Sequence, residues 1–171
     1  GGYFFTGSDA EPLLARTKEI YDGAVPSGNS VATLVLLRLA RMTGKSELER
    51  RAEETMRAFA GSVARLPGAH TMLLQALDFA LGPTREVVVA GAAADPATRA
   101  LLQAARRGFA PRTVFLLREP GEPGEAIARL APFTAAQGPV GGKAAAYVCE
   151  NFSCKQPVTD PTELASALAG S

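Results

Sequence analysis

At Gly82-Pro83 the hydrophobic pattern of this chain changes period, and that change limits its architecture more than any other feature. Before it, apolar residues recur at helical spacings over long stretches. After it, short β-branched runs alternate with helical ones. Apolar runs that are continuous rather than alternating suit strands buried on both faces. Their alternation with helices points to a small parallel sheet built from right-handed crossovers. A helical part followed by an α/β part is therefore expected.

In the helical part, residues 30–42 are apolar almost all round, broken by Thr33, Arg38 and Arg41, as in a helix covered on most sides. Gly44 then closes the helix as a left-handed C′ residue. Ser46 and Glu49 have the spacing of a capping box, and the helix they would open carries Leu48, Ala52, Met56, Phe59, Val63 and Leu66 on one stripe. Pro67-Gly68 breaks it, and a third helix over residues 69–81 is again apolar nearly all round. Upstream lie the aromatic run Tyr3-Phe4-Phe5, a mixed segment from Leu13 to Tyr21, and turn signals at Asp22-Gly23 and residues 26–29. They read as a β-hairpin or extended excursion ending at a helix start near Asn29.

In the α/β part, residues 86–90, 113–117 and 144–148 read as three strands. Asp95-Pro96 supplies an N-cap and a proline at the first helical position, opening a helix that closes at Gly108. A short helix over residues 122–130 follows, and Asp160 caps a last one running through Leu168.

The 171 residues hold 18 Lys plus Arg against 17 Asp plus Glu, which excludes nucleic-acid binding by bulk charge. With 47% apolar and 20% charged residues, the chain is globular and able to bury a core without a disulfide scaffold. No stretch has the order of a signal peptide, and the apolar run 31–37 stops at Arg38, far short of a membrane span. A soluble cytoplasmic protein without membrane contact is expected. The start at Gly1-Gly2-Tyr3, without Met, suits a cut or processed chain.

Two constellations bear on function. Asp22, Ser27 and Asn29 lie in the densest polar stretch, residues 22–30, where a carboxylate, two hydroxyls and an amide meet a helix N-terminus. That set suits a sugar or other polyol. It suits helix capping by Asn29 or Ser30 too, with Gly and Pro shaping the turn, and on physics alone capping is favoured. Cys149 and Cys154 stand just past a strand end, with four residues between them. Buried structural thiols, a local disulfide or redox pair, and a metal site are the three readings, the last short of ligands because His70 is the only histidine. His70 reads as a packed or exposed residue rather than a general base, no partner lying near it in sequence. Gly91 lacks the further glycines of a dinucleotide or phosphate loop, so its turn reads as a connector, with an anion held on backbone N–H groups as the alternative. Neither metal nor cofactor is expected.

Three stretches occur together in order: Gly-Gly-Tyr-Phe-Phe-Thr-Gly-Ser-Asp-Ala-Glu, Tyr-Asp-Gly-Ala-Val-Pro-Ser-Gly-Asn-Ser, and Tyr-Val-Cys-Glu-Asn-Phe-Ser-Cys with Pro157-Val158-Thr159 after it. Across essentially the whole chain they resemble the C-terminal part of the thioredoxin-domain-containing proteins of the spermatogenesis-associated protein 20 family. The resemblance implies a parent in which a thioredoxin-like domain and then an (α/α) barrel precede a small C-terminal region. That barrel is related to six-hairpin glycosidases and N-acylglucosamine 2-epimerases.

On that plan the fold class is mixed, partial α/α-barrel helices followed by a small parallel α/β unit. Residues 1–82 are the end of the barrel with an N-terminal β-hairpin, and 83–171 a small three-stranded α/β domain. Only about three of the roughly twelve helices of a closed six-hairpin barrel are present. Asp22, Ser27 and Asn29 become barrel-pocket residues for a sugar or polyol, and Cys149 and Cys154 stay unassigned. The expected function is that of a C-terminal fragment without catalysis of its own, contributing to a carbohydrate-binding barrel. A redox module on Cys149 and Cys154, or a structural or interaction domain, are the alternatives. Its partners are then the parent's thioredoxin-like and barrel domains. The apolar faces of residues 30–42 and 69–81 would be shielded by self-association or by folding back on the α/β part.

Overall fold

The computed structural model describes residues 1–11 and 14–169. The chain forms two compact units, Gly1–Ala40 with Lys45–Gly82, and Arg41–Gly44 with Pro83–Ser171.

The first unit is built on α1 (Gly28–Thr43), α2 (Ser46–Arg65) and α3 (Thr71–Leu81), with a 3-10 turn, Pro67–Ala69, between the last two. The end of α1, from Arg41, clusters with the second unit. α1 buries Asn29, Ser30, Thr33, Leu37 and Ala40 and leaves Val31, Val35 and Leu39 exposed, one per turn. The helix that looked apolar all round therefore has a covered side and an open one. On α2 the charged residues pair along the wet face, Glu47 with Arg51 (2.6 Å) and Glu53 with Arg57 (2.9 Å). The expected capping box does not form there. The N-cap is Lys45, which makes no side-chain cap bond, so Ser46 already sits inside the first turn.

No strand forms among the described residues of 1–27, and an extended excursion takes the place of the expected N-terminal β-hairpin. Phe5 N–H donates to the Thr17 carbonyl (2.9 Å), but side chains meet other main-chain groups that a ladder would have paired. Asn29 holds both the N–H and the carbonyl of Tyr3, and Lys18 Nζ donates to the Gly1 carbonyl (2.7 Å). Leu13, where the mixed segment begins, lies outside the described residues.

In the second unit β1 (Arg85–Ala90), β2 (Thr113–Arg118), β3 (Ala145–Glu150) and β4 (Ser153–Cys154) form one sheet in the order β2-β1-β3-β4. β1 and β2 are parallel, joined through α4 (Pro96–Arg106), while β3 runs antiparallel to both β1 and β4. The expected three-stranded parallel sheet is thus a four-stranded mixed one. Ala145 lies opposite Ala90 and Glu150 opposite Arg85, so β3 starts at the end where β2 finishes. The connection after β2, through α5 (Glu122–Leu130) and the 3-10 turn Pro132–Thr134, brings the chain back to the end it left. A run of apolar residues identifies a strand but carries no direction.

On one sheet face Val87, Val89, Ala146 and Val148 pack with Leu101 and Ala105 of α4 and with Leu164 of α6 (Pro161–Ala169). Asp95 and Asp160 cap α4 and α6 as expected, Asp95 accepting the Ala97 N–H and Asp160 those of Thr162 and Glu163. The opposite face carries Glu86, Val114 and Cys149, which are register partners. At the turn after β1, a Cβ on Gly91 would lie 2.3 Å from Thr98 Oγ1 and 2.9 Å from Ala144 Cβ. That turn is a close-packed connector. No helix among the described residues is long and apolar enough to cross a membrane.

Candidate functional site

Asp22, Ser27 and Asn29 come together at the start of α1, and all three are buried. Asp22 accepts the Ser27 N–H on Oδ1 (2.8 Å). Its Oδ2 takes the Ser30 hydroxyl (3.0 Å) and the N–H groups of Met72 (2.9 Å) and Leu73 (3.1 Å). Burial alone would raise its carboxyl pKa, but these four donors outweigh it and hold the group below its ordinary value. Ser27 Oγ accepts the N–H of Ser30 (3.1 Å), so the N-cap of α1 is Ser27 rather than the expected Asn29 or Ser30, because the helix starts earlier, at Gly28. Asn29 is spent on the main chain of Tyr3 and on the Glu19 carbonyl (2.7 Å). Capping and bracing use the polar atoms that a sugar would need. Beside them runs a groove of about 450 Å³ whose lining includes Tyr3, Phe4, Phe5, Tyr21, Val25 and Asn29.

Cys149 and Cys154 form a disulfide between register partners of β3 and β4. The two-residue turn that joins these strands, Asn151-Phe152, has φ of 51° and 63°, the positive pair a type I′ hairpin turn requires. A bulky residue such as Phe152 rarely occupies that region, and its neighbours hold it there. Its N–H donates to Glu86 Oε2 (3.1 Å), its ring packs on Phe133 with centroids 5.0 Å apart, and Arg41 bonds Asn151 Oδ1 (3.1 Å).

The bridge is asymmetric. Cys149 is 1% exposed, whereas Cys154 is open to solvent. Over both sulfurs lies the buried Gln137 amide, whose Nε2 donates to Cys154 Sγ (3.0 Å) and lies 3.7 Å from Cys149 Sγ. Gln137 is held in turn by Arg118, which donates to its carbonyl (2.7 Å), while Tyr147 Oη fixes the next residue through the Gly138 carbonyl (2.7 Å). Directly across β1 from Cys149 is Glu86, fully buried, with Oε1 lacking any hydrogen-bond partner. Burial pushes its carboxyl pKa up. The Phe152 N–H and the Arg41 guanidinium offset part of the rise, and Glu150 adds to it. A bridge with one solvent-exposed cysteine, one buried cysteine and an amide donor at both sulfurs is an arrangement suited to thiol–disulfide exchange.

Glu86 and Gln137 were not singled out from the sequence. Glu86 stood inside an apolar strand run, and a carboxylate in such a run is the signal that marks it. Gln137 lies in a loop and carries no such mark. His70 is buried, and its Nδ1–H donates to the Ile20 carbonyl (3.0 Å). Among the described residues no group of three or more His, Cys, Asp or Glu side chains is placed to hold a metal ion.

The chain is 34% identical to spermatogenesis-associated protein 20 of human over 169 residues, 33% to that of rat and 32% to that of mouse. Each match covers 98% of this chain and 21% of the relative, so the chain spans about a fifth of the length of the curated relatives it matches. No protein-family model matches it. No solved structure matches it either.

Proposed function

The chain matches a fragment of the spermatogenesis-associated protein 20 family, and we propose that this fragment is a dithiol–disulfide redox module whose reactive pair is Cys149 and Cys154. The observation that carries the reading is the asymmetry of the bridge beneath the Gln137 amide. The loop it closes is short, so by chain entropy the bond contributes only about 2 kcal/mol. β1 pairs with β2 and β3 along six residues each without its help. The reduced unit then keeps its fold, as a cycling module must.

Thiol counting with a chromogenic disulfide reagent tests this. The native protein should show no free thiol, and two after mild dithiothreitol, with an unchanged far-ultraviolet circular dichroism spectrum. Its reduction potential should lie above about −300 mV, the ceiling for most structural disulfides of secreted proteins. Release of thiols only after unfolding, or a potential below that level, overturns the reading.

A second reading belongs to the first unit and rests on its aromatic groove. Phe5 and Tyr21 are 75% and 67% exposed along one lining, and flat apolar faces beside polar edges suit the rings of a sugar. In this reading the unit contributes part of a carbohydrate-binding barrel in the parent protein. Titration with neutral mono- and disaccharides should then shift the amide resonances of residues 3–5, 21 and 29. No shift at millimolar sugar removes it.

A further inference from the structure

We propose that Glu86 is the proton-transfer group of the Cys149–Cys154 pair, giving a proton to Cys149 when the bridge is reduced and taking it back when the bridge re-forms. This rests on the redox reading above and names the residue that would make the exchange directional.

Four observations support it. Glu86 and Cys149 are directly opposed on adjacent antiparallel strands, a relation that sets Cβ atoms about 5 Å apart on one sheet face. Both are buried, so the sulfur released there has little access to water. One carboxyl oxygen already reaches the turn that joins the two cysteines, through Phe152 N–H, while the other has no partner. An unpartnered buried carboxyl oxygen is costly unless it is protonated or used. The charged groups felt at the site are Arg41 from the end of α1 and Glu150 from β3, and from β2 the register partner is the apolar Val114. Against burial, Arg41 is too weak to restore an ordinary carboxylate, so the acid form persists to higher pH than in a free glutamate.

The step balances as follows. A thiolate of a dithiol reductant attacks Sγ of the solvent-exposed Cys154. The Sγ–Sγ bond breaks, and its electron pair leaves on Cys149 Sγ. Glu86 gives that sulfur its proton and becomes a carboxylate, while the Gln137 amide N–H donates to the sulfurs from above. The reductant's second thiol then attacks the mixed disulfide and expels Cys154 as a thiolate. Solvent returns the proton of that second thiol to Glu86 and the proton of the first to Cys154. Two electrons and two protons have passed to the cysteine pair, and the reductant has become a disulfide. Attack on Cys154 leaves the buried sulfur as the leaving group, which is where an acid is needed.

The test compares the full chain with its Glu86→Gln variant in dithiothreitol reduction, followed by stopped flow from pH 5 to 9 and normalised to the reductant's thiolate. The wild-type rate should fall as pH rises through the Glu86 pKa and its proton is lost. The variant should be at least about tenfold slower at the acid end, and flat with pH. A merely structural Glu86 would change stability but not the shape of that profile. Should the variant not fold, the wild-type Glu86 carboxyl can be titrated by carbon NMR in the oxidised and reduced states. The proposal expects two different midpoints. Fast wild-type reduction with superimposable profiles, or an unchanged carboxyl titration, overturns the role of Glu86 and leaves the redox reading standing. A bridge that cannot be reduced in the native protein overturns both.

Discussion

Replacing Asp22 by alanine should cost about 4 kcal/mol of folding stability, one of the two largest losses expected from a single substitution in this chain. Its carboxylate is buried and receives four donors, three of them main-chain N–H groups. Two of those open α3, whose own N-cap residue, His70, provides no side-chain bond. Asp22 is therefore the cap of a helix some fifty positions away, and it also places a negative charge at that helix's N-terminus. Alanine would leave four donors without this acceptor, three of them buried and that of Met72 half-buried, at about 1–3 kcal/mol for each buried one before relaxation. Because the folded-state pKa is depressed, the carboxylate's contribution is fully present above the unfolded value of 3.8 and lost as pH falls through the lower folded one. Urea unfolding should show the full gap between wild type and variant at pH 7 and a narrowing gap toward pH 2. An equal gap at both pH values would mean that the charge is not what the site uses.

The same residue shows where sequence reading stops. A carboxylate, hydroxyls and an amide at a helix start look alike whether they wait for a ligand or serve the main chain, because both uses need polar atoms at exposed N–H groups. Capping itself is a local signal, but the turn residues point to Asn29 or Ser30 as the cap, whereas α1 starts at Gly28 and Ser27 takes the role, three residues before its donor. Asp22 serves Met72 and Leu73, and Asn29 serves Tyr3, across separations that no spacing rule covers. The cysteine pair has the opposite character. Its bridge is local, closing a hairpin whose two-residue turn, Asn151-Phe152, sets the cysteines opposite one another. Its surroundings, Gln137 at the sulfurs and Glu86 opposite Cys149, are set by a loop and by the sheet register, which no local pattern in the sequence carries.

Much of the fold was readable for a physical reason. Helical stripes, proline and glycine breaks and the Asp95 and Asp160 caps are all local signals, and the helices follow them closely. Strand existence was equally plain at residues 86–90 and 113–117. Direction was not, because β3 pairs antiparallel with β1 through a connection whose path depends on where α5 packs. Two-residue β4 carries no periodicity at all.

Leu164→Ala should destabilise the second unit by about 3–4 kcal/mol, near the middle of the range for a fully buried leucine. Leu164 has no exposed surface and is the one buried residue on the nine-residue α6. A helix of that length does not hold itself in water, so tertiary packing has to keep it. The substitution leaves the Asp160 cap in place, together with the bond from Arg85 to the Leu168 carbonyl (3.1 Å). The loss is therefore one of packing and cavity, not of hydrogen bonding. Chemical denaturation should show the lower midpoint, and hydrogen exchange should quicken first at the α6 amides. Leu164 packs with Val87, Val89, Ala146 and Val148, the face opposite Glu86 and Cys149. Well below the unfolding midpoint, the thiolate-normalised reduction rate of the disulfide should therefore match wild type. A rate that rises in step with the lost stability would mean that the bridge is reached only through opening of the sheet. In that case the exposed Cys154 sulfur is not the point of attack.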